Sequence, residues 1–206
     1  MKKLIKYILV VAVIGMVGYN SVYVKKLSEV KNKDLSKFDA VDFSKKLWDE
    51  QLPGRLDTAI ELSAWINAIK TDSIAGMERV SNAMAIGNYR YSLVKIKGRA
   101  GAIGEDDFIL NADSQVNIKV ATEFIYGNAI RDASGLVDIR NFVNTNDLNN
   151  ISEELNKKVR TTVLPALKRN LKPGALLEIT GAIEFNKEHL RLKDLEMIPV
   201  RIKFLN

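Results

Sequence analysis

The sequence contains no cysteine and a single histidine, and these two shortages exclude several kinds of chemistry. Without cysteine, the 206 residues hold no disulfide bond, thiolate zinc site, iron–sulfur cluster or cysteine nucleophile. A lipid anchor on a cysteine is excluded for the same reason. With one histidine, a metal site built from several imidazoles is excluded as well. We therefore expect no metal ligand, no cofactor and no catalytic residue.

Most of the chain also lacks an excess of positive or negative charge. Residues 1–37 hold eight of the 31 basic residues and two of the 25 acidic residues, so residues 38–206 carry 23 of each and no net charge. A nucleic-acid-binding domain typically carries a basic stripe on its folded part. The neutral body argues against nucleic acid as a partner. The length and the hydrophobic content of 47% fit one folded domain, with or without an appendage.

The one long apolar run lies at the N-terminus. Lys2, Lys3 and Lys6 precede an uncharged run of 18 residues, 7–24, whose strictly apolar part is Tyr7–Val17. As a helix, this run would span about 27 Å, just enough to cross a bilayer core. Positive charge followed by an apolar stretch is typical of secretory signals. Because no clear cleavage site follows, we favour an uncleaved signal-anchor (1–24), with the body on the periplasmic face of the inner membrane, over a cleaved signal peptide.

Composition and hydrophobic periodicity divide the rest of the chain into three parts. These are a lysine-rich spacer, a helical segment packed on a barrel, and the barrel domain itself, at 25–40, 41–88 and 89–206. Within the helical segment, apolar spacing predicts helices at about 41–52, 56–70 and 73–86. Pro53-Gly54 is expected to stop the first of them. Trp48 and Trp65 lie on the apolar stripes, where a core position is the simpler interpretation and an aromatic ligand box is the alternative.

From Tyr91 onward the hydrophobic period changes from 3.6 to 2, which predicts strands. Strands are expected at 91–103, 108–110, 116–126, 177–185 and from 190 onward, with one long helix between the third and fourth. A capping box at Asn150–Glu153 is expected to begin that helix, and Pro165 to kink or split it. This order of elements is that of an OB-fold. We therefore predict an α+β protein with an N-terminal membrane or signal helix, short helices, and a five- to six-stranded OB-like antiparallel barrel; an open mixed sheet is the alternative.

Most polar residues of the segment 38–206 form no pattern that indicates catalysis or metal binding. His189 lies in a predicted turn without a partner in a recognisable catalytic motif. The acidic run Glu105–Asp107 lacks the ligand spacing of a calcium loop. A charged hairpin turn is the simpler interpretation of it.

The segment Gly127–Gly135 is the exception, because two glycines bracket four good hydrogen-bonding side chains. These are Asn128, Arg131, Asp132 and Ser134. The guanidinium fork of Arg131 and the carboxylate of Asp132 suit recognition of a polyol or of a partner's backbone. The same two groups equally suit a structural role, in which they pair and fix a long loop. We take the four residues as candidates for ligand or partner binding and leave the structural alternative open.

Around this segment the sequence resembles a known family. Gly127–Ile139, Asn141–Asn144 and Ile151–Asn156 are similar to the bacterial predicted periplasmic lipoproteins of unknown function, and the similarity extends from Tyr19–Tyr23 to Ile198–Arg201. Genes of that family are often found beside sugar ABC transporters. The resemblance implies an extracytoplasmic location and a connection with carbohydrate uptake. The lipobox cysteine that the family's name implies is absent here, and a retained helix is its natural substitute.

The leading functional hypothesis is a non-enzymatic accessory protein, tethered to the membrane by its N-terminal helix. Its partner would be an ABC transporter component, either the solute-binding protein or the permease, or else a small polar ligand. The first alternative is an envelope carbohydrate-active enzyme that uses paired carboxylates, for which Asp132 and Asp138 are the candidates. The second is a barrel that binds an oligonucleotide or oligosaccharide, and the neutral body weakens the nucleic-acid form of it.

Overall fold

The structure is a computed structural model that describes residues 2–21, 38–84, 87–112 and 116–205. The chain divides into two units, Met1–Phe38 and Asp39–Asn206. Most of the predicted spacer and the end of the predicted anchor, residues 22–37, lie outside the described residues.

The first unit contains helix α1 (Lys2–Ser21). Within the described residues, no helix is long and apolar enough to cross a membrane. The structure therefore does not support the predicted membrane-spanning anchor. Lys3 and Lys6 lie in the first turns of α1 and Ser21 ends it.

In the described part of the second unit, four helices precede the barrel. They are α2 (Ala40–Lys46), α3 (Leu52–Asp57), α4 (Leu62–Thr71) and α5 (Ser73–Val80). A π-helical turn, Leu47–Gln51, joins α2 to α3, and the N–H of Leu52 donates to the carbonyl of Leu47 across it. Pro53 lies in the first turn of α3, where its missing N–H removes no helical bond. The predicted stop at Pro53-Gly54 is therefore wrong.

The predicted second helix begins six residues too early, because the chain first forms a short strand, β1 (Ile60–Glu61). Trp65 of α4 is fully buried and packs edge-on against Phe185, with ring centroids 5.2 Å apart. Its indole N–H donates to the hydroxyl of Ser92 at 3.0 Å. Trp65 is a core residue, as the simpler interpretation predicted.

Five strands form a closed barrel. They are β2 (Tyr89–Ile103), β3 (Asp107–Ala112), β4 (Asn117–Ala121), β5 (Leu176–Asn186) and β6 (Glu196–Leu205). The long strand β2 pairs antiparallel with both β3 and β5, β3 pairs with β4, and β5 pairs with β6. A short parallel pairing of β4 with β6 closes the ring, and β1 adds to β2 as an extra strand. The predicted α+β class with an OB-like barrel is confirmed.

Alternating apolar side chains fill the barrel. Phe108 and Leu110 on β3 face Val120 and Ile118 on β4, and all four are fully buried. Because side chains two apart in a strand share a face, the intervening residues point outward. Each such burial contributes about 1.5–3 kcal/mol, so the barrel interior is the main source of stability in this unit.

The connection between β4 and β5 holds the elements nearest to the candidate site. In order these are α6 (Ala129–Ser134), a 3₁₀ turn (Ile139–Asn141), α7 (Thr145–Lys158), a π-helical turn (Val159–Val163) and α8 (Leu164–Asn170). Asn144 caps α7, since its side-chain oxygen accepts the N–H of Asp147 at 3.0 Å. The predicted capping box at Asn150 is therefore wrong: that residue lies inside the helix. Pro165 lies in the first turn of α8, directly after the π-helical turn.

Candidate functional site

Helix α6 occupies the segment that the sequence predicted as a polar loop. Gly127 and Gly135 bracket it with positive φ angles of 81° and 62°. Gly135 adopts the left-handed conformation directly after the last helical residue and so ends the helix. The helix packs against β2, β5 and α7. The four candidate residues are thus presented on a short helix between the barrel and α7.

Arg131 and Asp132 form a buried ion pair. The Nε atom of Arg131 lies 2.6 Å from Oδ1 of Asp132, and their side chains are 6% and 1% exposed. The Nη1 atom of Arg131 also donates to the carbonyl oxygen of Leu148 on α7, at 2.9 Å. Buried charges are tolerated when a partner and further hydrogen bonds satisfy them. The pair therefore ties α6 to α7.

Asn128 and Ser134 satisfy the neighbouring polar groups. The Nδ2 atom of Asn128 donates to Oδ2 of Asp132 at 2.5 Å and to the hydroxyl of Tyr91 at 3.2 Å. The hydroxyl of Ser134 donates to the carbonyl oxygen of Arg131 at 2.6 Å and accepts the N–H of Leu136 at 3.2 Å. Each of the four candidate residues therefore has a partner within the protein.

Two asparagines that the sequence interpretation missed hold the ends of α6. Asn156 on α7 donates to the carbonyl of Gly127 at 2.8 Å, and Asn82 donates to the carbonyl of Ala133 at 2.9 Å. Both lie at least 29 residues from their partners along the chain. No local sequence pattern links either asparagine to Gly127–Gly135, so these two hydrogen bonds could be identified only in the structure.

An open pocket of about 320 Å³, here called the α6 pocket, lies beside this network. Three of the four candidate residues line it: Asn128, Arg131 and Asp132. Its other walls include Tyr89, Tyr91, Ile139, Leu148 and Asn149. Ser134 is not part of this lining, and its hydrogen bonds give it a structural role. The structure thus brings three candidates together at one concave surface.

The two tyrosines of the pocket come from the start of β2. Tyr89 and Tyr91 are two residues apart and therefore share a face of the strand. Tyr91 is buried, whereas Tyr89 is 56% exposed at the rim. Tyr91 pairs across the sheet with Glu184 of β5, which places their side chains next to each other. Strand alternation was the signal for these residues, but the predicted strand began two residues late, at Tyr91.

The ionisable groups near the pocket shift the pKa values of their neighbours. Burial raises the pKa of Tyr91, and the negative charge of Glu184 acts in the same direction. Desolvation, followed by the negative charge of Asp132, raises the pKa of Glu184. Tyr91 therefore keeps its proton at neutral pH and can donate a hydrogen bond.

The carboxylates considered for an enzyme are both engaged in ion pairs. Oδ2 of Asp138 lies 2.5 Å from Nη2 of Arg140, and the hydrogen bonds from Arg140 lower the pKa of Asp138 to about 2. A group that ionises so readily is a weak general acid at neutral pH. Asp132 has both oxygens bonded, to Arg131 and Asn128. Across the part of the chain that the structure describes, no group of three His, Asp or Glu side chains is placed to hold a metal ion.

A solved structure resembles the chain in fold, and a family model matches its sequence. A crystal structure of an OB-fold protein from Thermotoga maritima is similar to it with a TM-score of 0.68 at 20% identity, over 82% of this chain and 99% of that chain. At this identity the similarity shows the fold alone. No curated protein matches the chain. The family model described as "Predicted periplasmic lipoprotein (DUF2291)" matches residues 12–203, so the chain belongs to this family of predicted periplasmic lipoproteins.

Proposed function

We propose that the protein is a non-enzymatic accessory protein that acts outside the cytoplasm by binding, with the α6 pocket as its binding site. The observation that carries the proposal is the fixed arrangement of Asn128, Arg131 and Tyr91 in an open pocket. Their positions are set by hydrogen bonds within the protein. Pre-positioned polar groups in a concave surface are what a binding site requires before its ligand arrives.

The family to which the chain belongs supports a location outside the cytoplasm. The N-terminal lysines followed by the apolar part of α1 support export in the same way. The resemblance to that family implies a connection with sugar ABC transporters, and on this expectation we propose a transporter component as the partner. We take the solute-binding protein or the permease as that component.

The rim of the α6 pocket offers a contact surface for such a partner. Tyr89 and Ile139 line the pocket and are exposed, and Val143 is exposed close by in sequence. Exposed apolar side chains beside fixed polar groups are typical of surfaces that bind a protein. The partner would contact the edge of the pocket where Tyr89 and Ile139 lie.

A photo-crosslinking amino acid placed at position 89 in the native envelope tests the partner. The control position is Ile103, an exposed apolar residue at the other end of the same strand. We expect a crosslink to a transporter component from position 89 and none from position 103. Failure to obtain an adduct at position 89, or equal adducts at both positions, would contradict the proposal.

The location is tested separately. Protease added to intact spheroplasts is expected to digest the body of the protein while a cytoplasmic marker survives. Protection of the body until the cells are lysed would place it inside the cytoplasm and overturn this part of the proposal.

A further inference from the structure

We infer that the α6 pocket takes a small uncharged polyol, of about the size of a monosaccharide, with the ring of Tyr89 as its stacking surface. This inference deepens the proposed function, because it assigns a ligand class to the same pocket. It rests on the size, the hydrogen-bonding pattern, the charge balance and the apolar wall of the pocket.

The size of the pocket limits the ligand. Its volume of about 320 Å³ lies at the lower end of the range for small-molecule sites, roughly 300–1,000 Å³. A folded protein segment or a long oligosaccharide would extend beyond it. A single ring with its substituents fits.

The polar groups of the pocket include both donors and acceptors. Among the described residues, the Nη2 atom of Arg131 has no protein partner, and it is not one of the fully buried unpartnered atoms. Because Arg131 lines the pocket, we take this atom as a donor to the ligand. The amide nitrogen of Asn128 donates both of its hydrogens, to Asp132 and to Tyr91, so its Oδ1 atom is the group that can accept from a ligand. The hydroxyl of Tyr91 accepts from Asn128 and can donate its own hydrogen to a ligand. Since each hydroxyl group both donates and accepts, neighbouring hydroxyls on one molecule suit a site that holds both donors and acceptors.

The charge balance favours a neutral ligand over a charged one. The guanidinium of Arg131 is already neutralised by Asp132. Among the described residues that line the pocket, Arg131 and Asp132 are the charged ones, so an anion would find no unpaired positive charge there. A cation would need an unpaired carboxylate in the pocket, and Asp132 is almost fully buried with both oxygens bonded.

The apolar side chains that line the pocket would contact the carbon atoms of the ligand. Tyr89 lines the pocket and is largely exposed, so one face of its ring is available. The face of an aromatic ring is electron-rich and attracts the weakly positive C–H groups of a polyol ring. Ile139 and Leu148 add apolar contacts in the same lining.

Direct binding measurements by NMR test the inference, with myo-inositol, D-glucose and D-xylose as probes. Succinate and putrescine serve as small anionic and cationic counterparts. We expect binding of at least one polyol, a weakening of about tenfold or more in Tyr89→Ala, and retention in Tyr89→Phe, which keeps the ring. The matched control is Tyr126→Ala, because Tyr126 is a tyrosine of similar exposure, 69%, that does not line the pocket.

Three results would overturn the inference. They are the absence of binding by all three polyols at millimolar concentration, a preference for succinate or putrescine, and an equal weakening in Tyr126→Ala. The two proposals are separable. Polyol binding without a crosslink from position 89 would overturn the partner and leave this inference standing, and a crosslink without polyol binding would do the reverse.

Discussion

The Nε atom of Arg131 lies 2.6 Å from Oδ1 of Asp132, although the two residues are adjacent in a helix. Neighbouring residues of a helix do not normally face each other, so the guanidinium must turn back along the helix to reach the carboxylate. That orientation directs Nη1 to the carbonyl of Leu148. The pair is therefore a connection between α6 and α7, and only the outer edge of the guanidinium is left for a ligand.

The first prediction concerns this pair. Arg131→Ala leaves the carboxylate of Asp132 buried without its charge partner, which typically costs about 3–5 kcal/mol of the free energy of unfolding. Denaturant unfolding measures the loss. The control is Arg140→Ala, which removes an exposed ion pair with Asp138 and is expected to change stability little. Unchanged stability of Arg131→Ala would show that the pair is dispensable for folding.

The second prediction concerns Gly181 of β5, opposite the irregularity at Pro199 of β6. A Cβ atom at this position would lie 2.4 Å from the carbonyl oxygen of Ile198 and 2.5 Å from Cγ of Met197. We expect Gly181→Val to destabilise the barrel by about 1–3 kcal/mol or more, because the backbone must shift to admit the side chain.

Gly54→Ala is the comparison for that variant. Gly54 lies in helix α3, and its added Cβ would meet nothing within 4 Å. Alanine is favoured over glycine in a helix by up to about 1 kcal/mol, so this variant should be neutral or slightly more stable. Thermal unfolding of the two variants side by side distinguishes crowding from a general effect of replacing glycine.

The third prediction concerns a buried chain of hydrogen bonds through Ser92. The indole of Trp65 donates to the hydroxyl of Ser92 at 3.0 Å, and that hydroxyl donates to the carbonyl of Val80 at 2.8 Å. Ser92→Ala leaves both groups unsatisfied, which we expect to cost about 1–3 kcal/mol. The near-ultraviolet circular dichroism of tryptophan reports the loss. Ser63→Ala, on the exposed face of the same helix as Trp65, should leave both stability and spectrum nearly unchanged.

The barrel was predictable because its signal is local. Strand alternation around Val94, Leu110 and Ile118 identified buried faces from a few residues each, and the order of strands and helices then selected the topology. Helix ends were predicted less well. Pro53 was expected to stop a helix and Pro165 to kink or split one, and each lies in the first turn of a helix that follows a π-helical turn. The tertiary packing that favours these turns has no local sequence signature.

The candidate site was predicted only in part. Glycine spacing identified the segment that contains Asn128 and Arg131, but the sequence alone could not show that Arg131 is buried. Its pairing with α7 depends on Leu148, 17 residues away. Tyr89 lines the pocket only in the folded chain, and Glu184 comes to lie beside Tyr91 only through the pairing of β2 with β5, so neither position follows from a motif.

The last prediction concerns pH and Glu184. Desolvation and the negative charge of Asp132 raise the pKa of Glu184 above its ordinary value of 4.5. Folding therefore favours the protonated carboxyl. The stabilising contribution is present below the unfolded value of 4.5 and is lost as the pH rises through the folded-state pKa. Glutamine is neutral at every pH, so Glu184→Gln avoids this loss.

The melting temperature of Glu184→Gln minus that of wild type should accordingly be close to zero in acidic buffer below pH 4.5 and positive at neutral pH. Glu184 is exposed at the surface of β5, so Glu188→Gln, another exposed glutamate in the turn that follows β5, controls for the change in surface charge. A difference of the same size at both pH values, or an equal one in Glu188→Gln, would show that the charge of Glu184 does not oppose folding. A positive difference confined to neutral pH would establish that the charge of Glu184 opposes folding, through desolvation first and through the nearby charge of Asp132 second.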